Sequence, residues 1–206
     1  PLSLEGRDIV AQAQTGSGKT AAYLLTLFSR MLRQERRSEI QNPRALIIAP
    51  TRELAVQIAS DAEKLSVYTP FSTHVVFGGI DYKKQRERFA SGVDLLIGTP
   101  GRLIDYHRQG AYSLHETEMV VVDECDRLFD MGFAEDLRWL LHRMPYTDKR
   151  QSLMFTATLS YRVNELAYEH MNNPELIQVE PEKVTADRVR QILYHTANDE
   201  KIPLLI

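Results

Sequence analysis

The chain has 206 residues, of which 43% are hydrophobic, so it is long enough for one well-buried α/β domain with a short addition but not for two full domains. Its single cysteine, Cys125, excludes an internal disulfide and suits a reducing compartment, and no apolar stretch reaches the length of a membrane span. These features predict a soluble cytoplasmic protein. Because the net charge is −3, any contact with nucleic acid must come from local lysines and arginines.

A glycine-rich motif over Ala13 to Thr20 follows the apolar stretch Ile9 to Ala11 and precedes a helical pattern of apolar residues. Its two glycines allow backbone N–H groups to converge on an anion at the start of a helix. Lys19 is then placed to reach the β- and γ-phosphates of a nucleotide, and the Thr20 hydroxyl to ligate Mg²⁺. A glycine-rich turn with a surface lysine is the alternative, since Ala13 stands where the full motif has glycine. The predicted phosphate-binding loop comprises Ala13, Gln14, Thr15, Gly16, Ser17, Gly18, Lys19 and Thr20.

Apolar runs typical of buried strands alternate with helical patterns along the rest of the chain. This alternation predicts an α/β fold with a mainly parallel sheet covered by helices on both faces. The predicted strands are Ala45 to Ala49, His74 to Phe77, Val93 to Ile97, Met119 to Val122, Ser152 to Phe155 and Leu176 to Val179. The predicted helices include Glu53 to Leu65, Tyr82 to Phe89, Gly101 to His107, Phe133 to Leu141 and Ser160 to Met171.

Candidate functional residues follow five of these strands. Ligands of parallel sheets bind outside the carboxyl ends of the strands, so we expect these residues to meet at one rim. The residues are Pro50, Gly78, Thr99, Asp123 and Thr156.

Asp123 and Glu124 come directly after the apolar run Met119 to Val122. In nucleotide-hydrolysing proteins, a carboxylate at this position supports Mg²⁺, and a second one orients and deprotonates the attacking water. A plain helix start is the alternative, because acidic residues are favoured in the first helical turn. An expected position on the same rim as Lys19 favours a metal-supporting role for Asp123 and a general-base role for Glu124.

Together these motifs resemble the first RecA-like domain of a DEAD-box RNA helicase, a P-loop enzyme of superfamily 2. The tetrad Asp123 to Asp126 departs from the family pattern only at Cys125, where the family has alanine. The motif Thr156-Ala157-Thr158 begins with threonine, where the family usually has Ser-Ala-Thr. The remaining matches occur in family order and extend the resemblance over nearly the whole chain: Pro50 to Ala55, Gly78-Gly79 and Thr99 to Arg102.

The resemblance implies the cofactors ATP and Mg²⁺ and the substrate RNA, single-stranded or duplex. It implies that Asp126 accepts hydrogen bonds from Thr156 and Thr158 and so couples the nucleotide site to RNA. It also implies contacts to the RNA backbone, which carry little base information. The residues assigned to those contacts are Pro50, Thr51, Arg52, Gly79, Thr99, Gly101 and Arg102.

Within the family, three segments look most like the bacterial degradosome helicases: Leu137 to Met144, Leu159 to Val163 and Met171 to Asn173. This likeness implies a role in RNA degradation, with a degradosome ribonuclease as a partner that binds through a second domain.

The resemblance also divides the chain. Residues 1–180 are expected to form the RecA-like ATP-binding domain, without the adenine-reading segment that the family places upstream. Residues 181–206 are expected to form a linker and the truncated start of a second RecA-like domain. Because the family's second domain supplies arginines that complete the ATP site, we expect the 206 residues alone to hydrolyse ATP barely above background. The alternatives are a P-loop DNA translocase or nucleotide kinase, and a non-catalytic ATP-gated scaffold.

Overall fold

The computed structural model describes residues 1–14, 16–34, 42–79 and 81–179. Its strands form one seven-stranded sheet in which every neighbouring pair is parallel. The strands are β1 (Ile9–Gln12), β2 (Ala45–Ile48), β3 (Thr73–Val76), β4 (Leu95–Gly98), β5 (Met119–Val122), β6 (Gln151–Thr156) and β7 (Glu175–Gln178). Their order across the sheet is β3-β4-β2-β5-β6-β1-β7.

Helices connect the strands, as parallel pairing requires. They are α1 (Lys19–Arg33), α2 (Arg52–Ser66), α3 (Tyr82–Glu87), α4 (Pro100–Arg108), α5 (Cys125–Asp130), α6 (Ala134–Leu141) and α7 (Tyr161–His170), with 3-10 turns at Leu2–Glu5 and Arg88–Ser91. The residues just before three of the helices explain where those helices begin. Thr51 and Ser160 cap α2 and α7 with their hydroxyls, and Asp81 caps α3 with its carboxylate.

The sheet has a hydrophobic core on each face. Along β2, Leu46 and Ile48 belong to one cluster while Ala45 and Ile47 belong to the other, as the alternation of side chains along a strand dictates. Residues of α1 and α2 fill the second cluster, and residues of α4 to α7 fill the first. Two buried faces explain why the strands lack polar alternation, and the predicted α/β fold is confirmed.

Most predicted elements occur within two residues of their expected bounds, but two details differ. The helix expected over Tyr82 to Phe89 is split, with α3 ending at Glu87 and a 3-10 turn following. The short helix α5 begins directly after Glu124, so the acidic pair also marks a helix start. The predicted linker and second-domain segment, residues 181–206, lies outside the described residues. Among the helices of the described chain, none combines the length and apolarity needed to cross a membrane.

The strand order divides the carboxyl rim of the sheet into two halves. The tips of β5, β6 and β1 are consecutive and carry Asp123, Thr156 and the start of the phosphate-loop segment. The tips of β3, β4 and β2 are consecutive on the other side and carry Gly79, Thr99 and Pro50. The residues predicted for nucleotide binding and those predicted for RNA binding therefore occupy neighbouring but separate halves of the rim.

Candidate functional site

The phosphate-loop segment turns sharply between β1 and α1. Gly16 and Gly18 have φ angles of +84° and +83°, and Lys19 is the first residue of α1. A Cβ atom at either glycine would meet no atom within 4 Å. The backbone conformation, rather than lack of space, therefore requires glycine at these positions. Thr15 lies outside the residues that the structure describes.

Lys19 faces the acidic tetrad across the strand tips. Its Nζ lies 2.9 Å from Asp123 Oδ1 and 3.7 Å from Glu124 Oε1. The side chains of Lys19 and Asp123 are 7% and 0% exposed. At this glycine turn and helix start, the buried Lys19 is therefore held by the carboxylate of Asp123.

The carboxylate of Asp123 has a different set of donors on each oxygen. Oδ1 accepts from the Glu124 backbone N–H at 2.8 Å as well as from Lys19. Oδ2 accepts from the Tyr23 hydroxyl at 3.1 Å. These contacts fix the orientation of a side chain that is closed off from water.

Glu124 is held in an unusual backbone conformation. Its φ of +48° lies in the left-handed region, where few residues with a Cβ occur. Its side chain is 17% exposed, and Oε2 accepts a hydrogen bond from the Arg127 guanidinium at 3.2 Å. Backbone strain of this kind is concentrated at functional positions, where the surrounding structure enforces it.

Asp126 contacts the segment after β6, with one correction to the expected partners. Its Oδ2 accepts from both the backbone N–H and the hydroxyl of Thr158, at 2.9 and 3.0 Å. The expected bond from Thr156 is absent among the described contacts, because the Thr156 hydroxyl donates to the carbonyl of Thr158 at 2.8 Å. Thr156 is the last residue of β6 and is fully buried, so its hydroxyl shapes the turn while Thr158 reaches the carboxylate.

On the other half of the rim, Arg52 packs against an aromatic ring. Its guanidinium lies 5.1 Å from the centre of the Phe77 ring. Gly79, with φ of +85°, passes so close that a Cβ there would stand 3.2 Å from an Arg52 nitrogen. Thr51 caps α2 through a hydrogen bond to the Leu54 N–H. Arg52 is exposed in the first turn of α2, and its guanidinium packs against Phe77 and Gly79.

Arg102 also packs against aromatic rings, and it contacts two of them. Its guanidinium lies 4.8 Å from the centre of the Tyr82 ring and 5.5 Å from that of Tyr106, and it donates to the Tyr106 oxygen at 3.4 Å. The Tyr106 hydroxyl in turn donates to the Tyr82 carbonyl at 2.9 Å. Cation–π contacts and a ring-to-backbone bond thus hold the arginine side chain at the start of α4. The space above Gly101 is open, and Thr99 immediately precedes the helix.

Sequence reasoning missed the aromatic residues of both halves. Tyr23 occupies an ordinary apolar position of α1, and Phe77, Tyr82 and Tyr106 carry no motif. No local signal distinguishes them from core residues, since their partners come from other elements. Trp139 of α6 is partly buried against the core cluster that contains residues of α4 to α7.

The donor set available for a metal ion consists of the Thr20 hydroxyl at the start of α1 and the Asp123 carboxylate. Mg²⁺ prefers oxygen ligands and is usually held by one or two carboxylates together with substrate phosphates. Hydroxyl and carboxylate oxygens beside a phosphate loop fit that preference. The chemistry of these two residues is therefore compatible with a Mg²⁺-nucleotide.

A parallel sheet with a glycine turn before α1 and an acidic pair after β5 defines a RecA-like P-loop domain. The chain belongs to the DEAD/DEAH box helicase family, whose family model matches residues 1–166. Two relatives named ATP-dependent RNA helicase RhlB match all of this chain: that of Pseudoalteromonas atlantica is 51% identical over 206 residues and that of Serratia proteamaculans is 52% identical over 209. The chain spans about half the length of these relatives, 49% and 48%.

A solved structure agrees with this assignment. The crystal structure of a hypothetical ATP-dependent RNA helicase from Sulfolobus tokodaii superposes with a TM-score of 0.76 at 33% identity. The match covers 87% of this chain and 50% of that one.

Proposed function

We propose that the chain is the ATP-binding core of an ATP-dependent RNA helicase that couples ATP hydrolysis to RNA binding and local duplex unwinding. One observation carries the proposal: Lys19 and Asp123 meet at the strand tips beside a glycine turn. The relatives that match the full chain are named as RNA helicases, which supports the same activity and the same substrate.

In this proposal, phosphates of ATP lie against the turn from residue 13 to Lys19, and backbone N–H groups donate to them. Lys19 exchanges its contact with Asp123 for the β- and γ-phosphates. Thr20 and Asp123 hold Mg²⁺, which neutralises negative charge on the phosphates when bound. Glu124 accepts a proton from the attacking water, since it is the carboxylate next to Asp123 that keeps partial access to solvent.

RNA binds, in the same proposal, along the half of the rim formed by the tips of β3, β4 and β2. Arg52 and Arg102 donate to backbone phosphates, and the glycines allow the strand to approach closely. Pro50, Thr51 and Thr99 border the same path. Contact with a 2′-hydroxyl is the feature that would favour RNA over DNA.

Asp126 and Thr158 connect the two activities. Asp126 follows the nucleotide carboxylates by two residues, and both donors of Thr158 hold it. A displacement of the tetrad during hydrolysis would therefore reach the segment between β6 and α7. We assign coupling to Asp126 and Thr158, with Thr156 supporting the turn.

We further propose the setting of the whole protein from the family resemblance. Residues 181–206 would begin a second RecA-like domain that closes over ATP and RNA and binds a degradosome ribonuclease. The protein would act in RNA degradation in the cytoplasm.

The deciding experiment is an ATPase assay on the full-length protein with RNA or with DNA of the same sequence. Stimulation by RNA but not by DNA is the expected result. Equal stimulation by DNA would indicate a DNA translocase, and turnover with a small phosphate acceptor would indicate a kinase. ATP binding without turnover under any of these conditions would indicate a gated scaffold.

The general-base assignment has its own test. Glu124→Gln in the full-length protein should preserve ATP binding and lower hydrolysis by at least about 100-fold, because a positioned base contributes on that scale. Glu135→Gln is the matched control, since Glu135 lies on α6 with an 89% exposed side chain. Full ATPase activity in Glu124→Gln would remove Glu124 from this role.

A further inference from the structure

A buried tyrosine lies against the proposed metal-supporting carboxylate. Tyr23 is one turn after Thr20 on α1 and is 1% exposed. Its ring packs on Phe155 of β6, with ring centres 5.3 Å apart, and its hydroxyl donates to Asp123 Oδ2 at 3.1 Å. One side chain therefore links the helix of the phosphate loop, β6 and the acidic tetrad.

The hydroxyl remains a donor at this position. A tyrosine hydroxyl has an ordinary pKa of about 10 and keeps its hydrogen atom at neutral pH. Here it donates to Oδ2, whereas the 2.9 Å contact of Lys19 is with Oδ1. A buried phenol needs a hydrogen-bond partner, but the partner here is the carboxylate of the functional site rather than a backbone carbonyl.

Nucleotide binding would change the partners of one oxygen of Asp123 and leave the partner of the other in place. In the proposed function, Lys19 leaves Oδ1 for the phosphates, and that oxygen loses its cation. Oδ1 then keeps the Glu124 backbone N–H as a donor, but a hydrogen bond to one oxygen alone does not fix the plane of the carboxylate. The Tyr23 hydroxyl on Oδ2 opposes rotation of the carboxylate, since it is attached to a ring fixed by packing.

We propose that Tyr23 is a positioning residue that holds Asp123 in the orientation needed to support Mg²⁺ after Lys19 has moved to the nucleotide. This inference rests on the proposed function and deepens it. Tyr23 touches neither phosphate nor metal in the proposal, and it acts through its hydrogen bonds with Asp123 and with Thr20, the second proposed metal ligand. The hydroxyl, rather than the ring, carries the effect.

The test compares nucleotide binding with and without Mg²⁺ in the full-length protein. Tyr23→Phe removes the hydroxyl and keeps the ring against Phe155. Binding of ADP is measured by calorimetry in EDTA and in excess Mg²⁺, and the ratio of the two dissociation constants gives the metal enhancement. Because both constants come from the same sample, any loss of folded protein cancels in the ratio.

We expect the metal enhancement to fall about three- to tenfold in Tyr23→Phe, as for loss of one hydrogen bond, with little change of affinity in EDTA. The matched control is Tyr112→Phe. Tyr112 is also buried, and its hydroxyl donates to the Leu103 carbonyl at 2.8 Å, away from the tetrad. This control should keep the wild-type enhancement.

The outcomes separate this inference from the proposed function. A wild-type enhancement retained in Tyr23→Phe, or an equal loss in Tyr112→Phe, overturns the positioning role alone. Absence of Mg²⁺-dependent nucleotide binding in the wild-type protein overturns the proposed function, and the role of Tyr23 with it. Tyr23→Leu, which removes ring and hydroxyl, should in addition lower the midpoint of thermal unfolding.

Discussion

Lys19 and Asp123 neutralise each other inside the rim of the sheet, with 2.9 Å between Nζ and Oδ1. Both side chains are almost inaccessible to water, so neither charge is compensated by solvent. In the proposed function, a nucleotide phosphate would replace Asp123 as the partner of Lys19, and Asp123 would gain Mg²⁺ as its cation. We therefore expect nucleotide binding and Mg²⁺ binding to depend on each other.

Removing the lysine should remove nucleotide binding. In Lys19→Ala we expect the affinity for ATP to fall by roughly 100-fold or more, because a charge-assisted contact to the phosphates is lost. Binding of a fluorescent nucleotide to the full-length protein measures the effect. Lys64→Ala is the control, since Lys64 is 72% exposed and pairs with the neighbouring Asp61 on the surface of α2. Near wild-type affinity in Lys19→Ala would show that the loop does not bind phosphate through this lysine.

The aromatic support of Arg102 predicts that charge alone is insufficient for RNA binding. Arg102→Lys keeps the charge but loses the stacking on Tyr82 and the planar donor geometry, so we expect RNA affinity to fall by about three- to tenfold. Arg102→Ala should weaken binding further and reduce the salt slope by about one unit. RNA titrations at several salt concentrations measure both quantities.

The control for Arg102 is Arg7→Ala. Arg7 precedes β1, at the amino ends of the strands and away from the carboxyl rim, and it pairs with Glu175. Its removal should leave RNA affinity unchanged. Equal affinities for wild type and Arg102→Lys would show that the rings contribute nothing to RNA binding.

A second buried ion pair predicts a large effect on stability. Arg44 and Glu118, 5% and 6% exposed, form two hydrogen bonds of 2.9 and 3.0 Å, and Arg44 also donates to the carbonyls of Met31 and Gln34. Glu118→Gln leaves the guanidinium buried without its counter-charge. We expect a loss of about 3–5 kcal/mol in the free energy of unfolding, measured by urea denaturation.

The exposed pair of Lys64 and Asp61 provides the comparison for that measurement. Asp61→Asn should change the free energy of unfolding by less than about 1 kcal/mol, because solvent screens such pairs. Similar losses in Asp61→Asn and Glu118→Gln would contradict the argument from burial.

His74 predicts a loss of stability in acid. Burial, together with the nearby Arg88 charge, lowers the pKa of His74 to about 4. The unfolded chain binds a proton near pH 6.5 and the folded chain near pH 4, so stability falls as the pH drops through this window. His74→Phe, which can keep the packing on Phe89, should lose less stability between pH 6.5 and 4.5 than wild type.

Thermal unfolding midpoints across the pH range measure the effect of His74. His115→Gln is the control, since His115 is exposed and should leave the acid sensitivity unchanged. His170, whose pKa burial also lowers to about 4, keeps part of that sensitivity in every variant. An identical pH dependence in His74→Phe and wild type would show that His74 does not contribute.

Local sequence patterns predict the layers of the fold and the residue types that lie at the rim of the sheet. Apolar runs without alternation predicted a parallel sheet covered on both faces, since only strands buried on both sides lack polar positions. The phosphate-loop motif and the tetrad each follow such a run, and the carboxyl ends of parallel strands share one rim. The meeting of Lys19 and Asp123 was therefore predictable from local patterns.

The order of the strands and the partners of individual side chains depend on tertiary packing. The sequence pattern of β6 does not reveal that it lies between β5 and β1, although that placement brings Thr156 to the half of the rim that carries Asp123 and the phosphate-loop segment. Nor does it reveal that Thr158 rather than Thr156 reaches Asp126, or that Tyr23 donates to Asp123. These hydrogen bonds depend on the exact distance between segments that are far apart in the sequence. Close packing of the interior sets that distance, and local sequence patterns do not encode it.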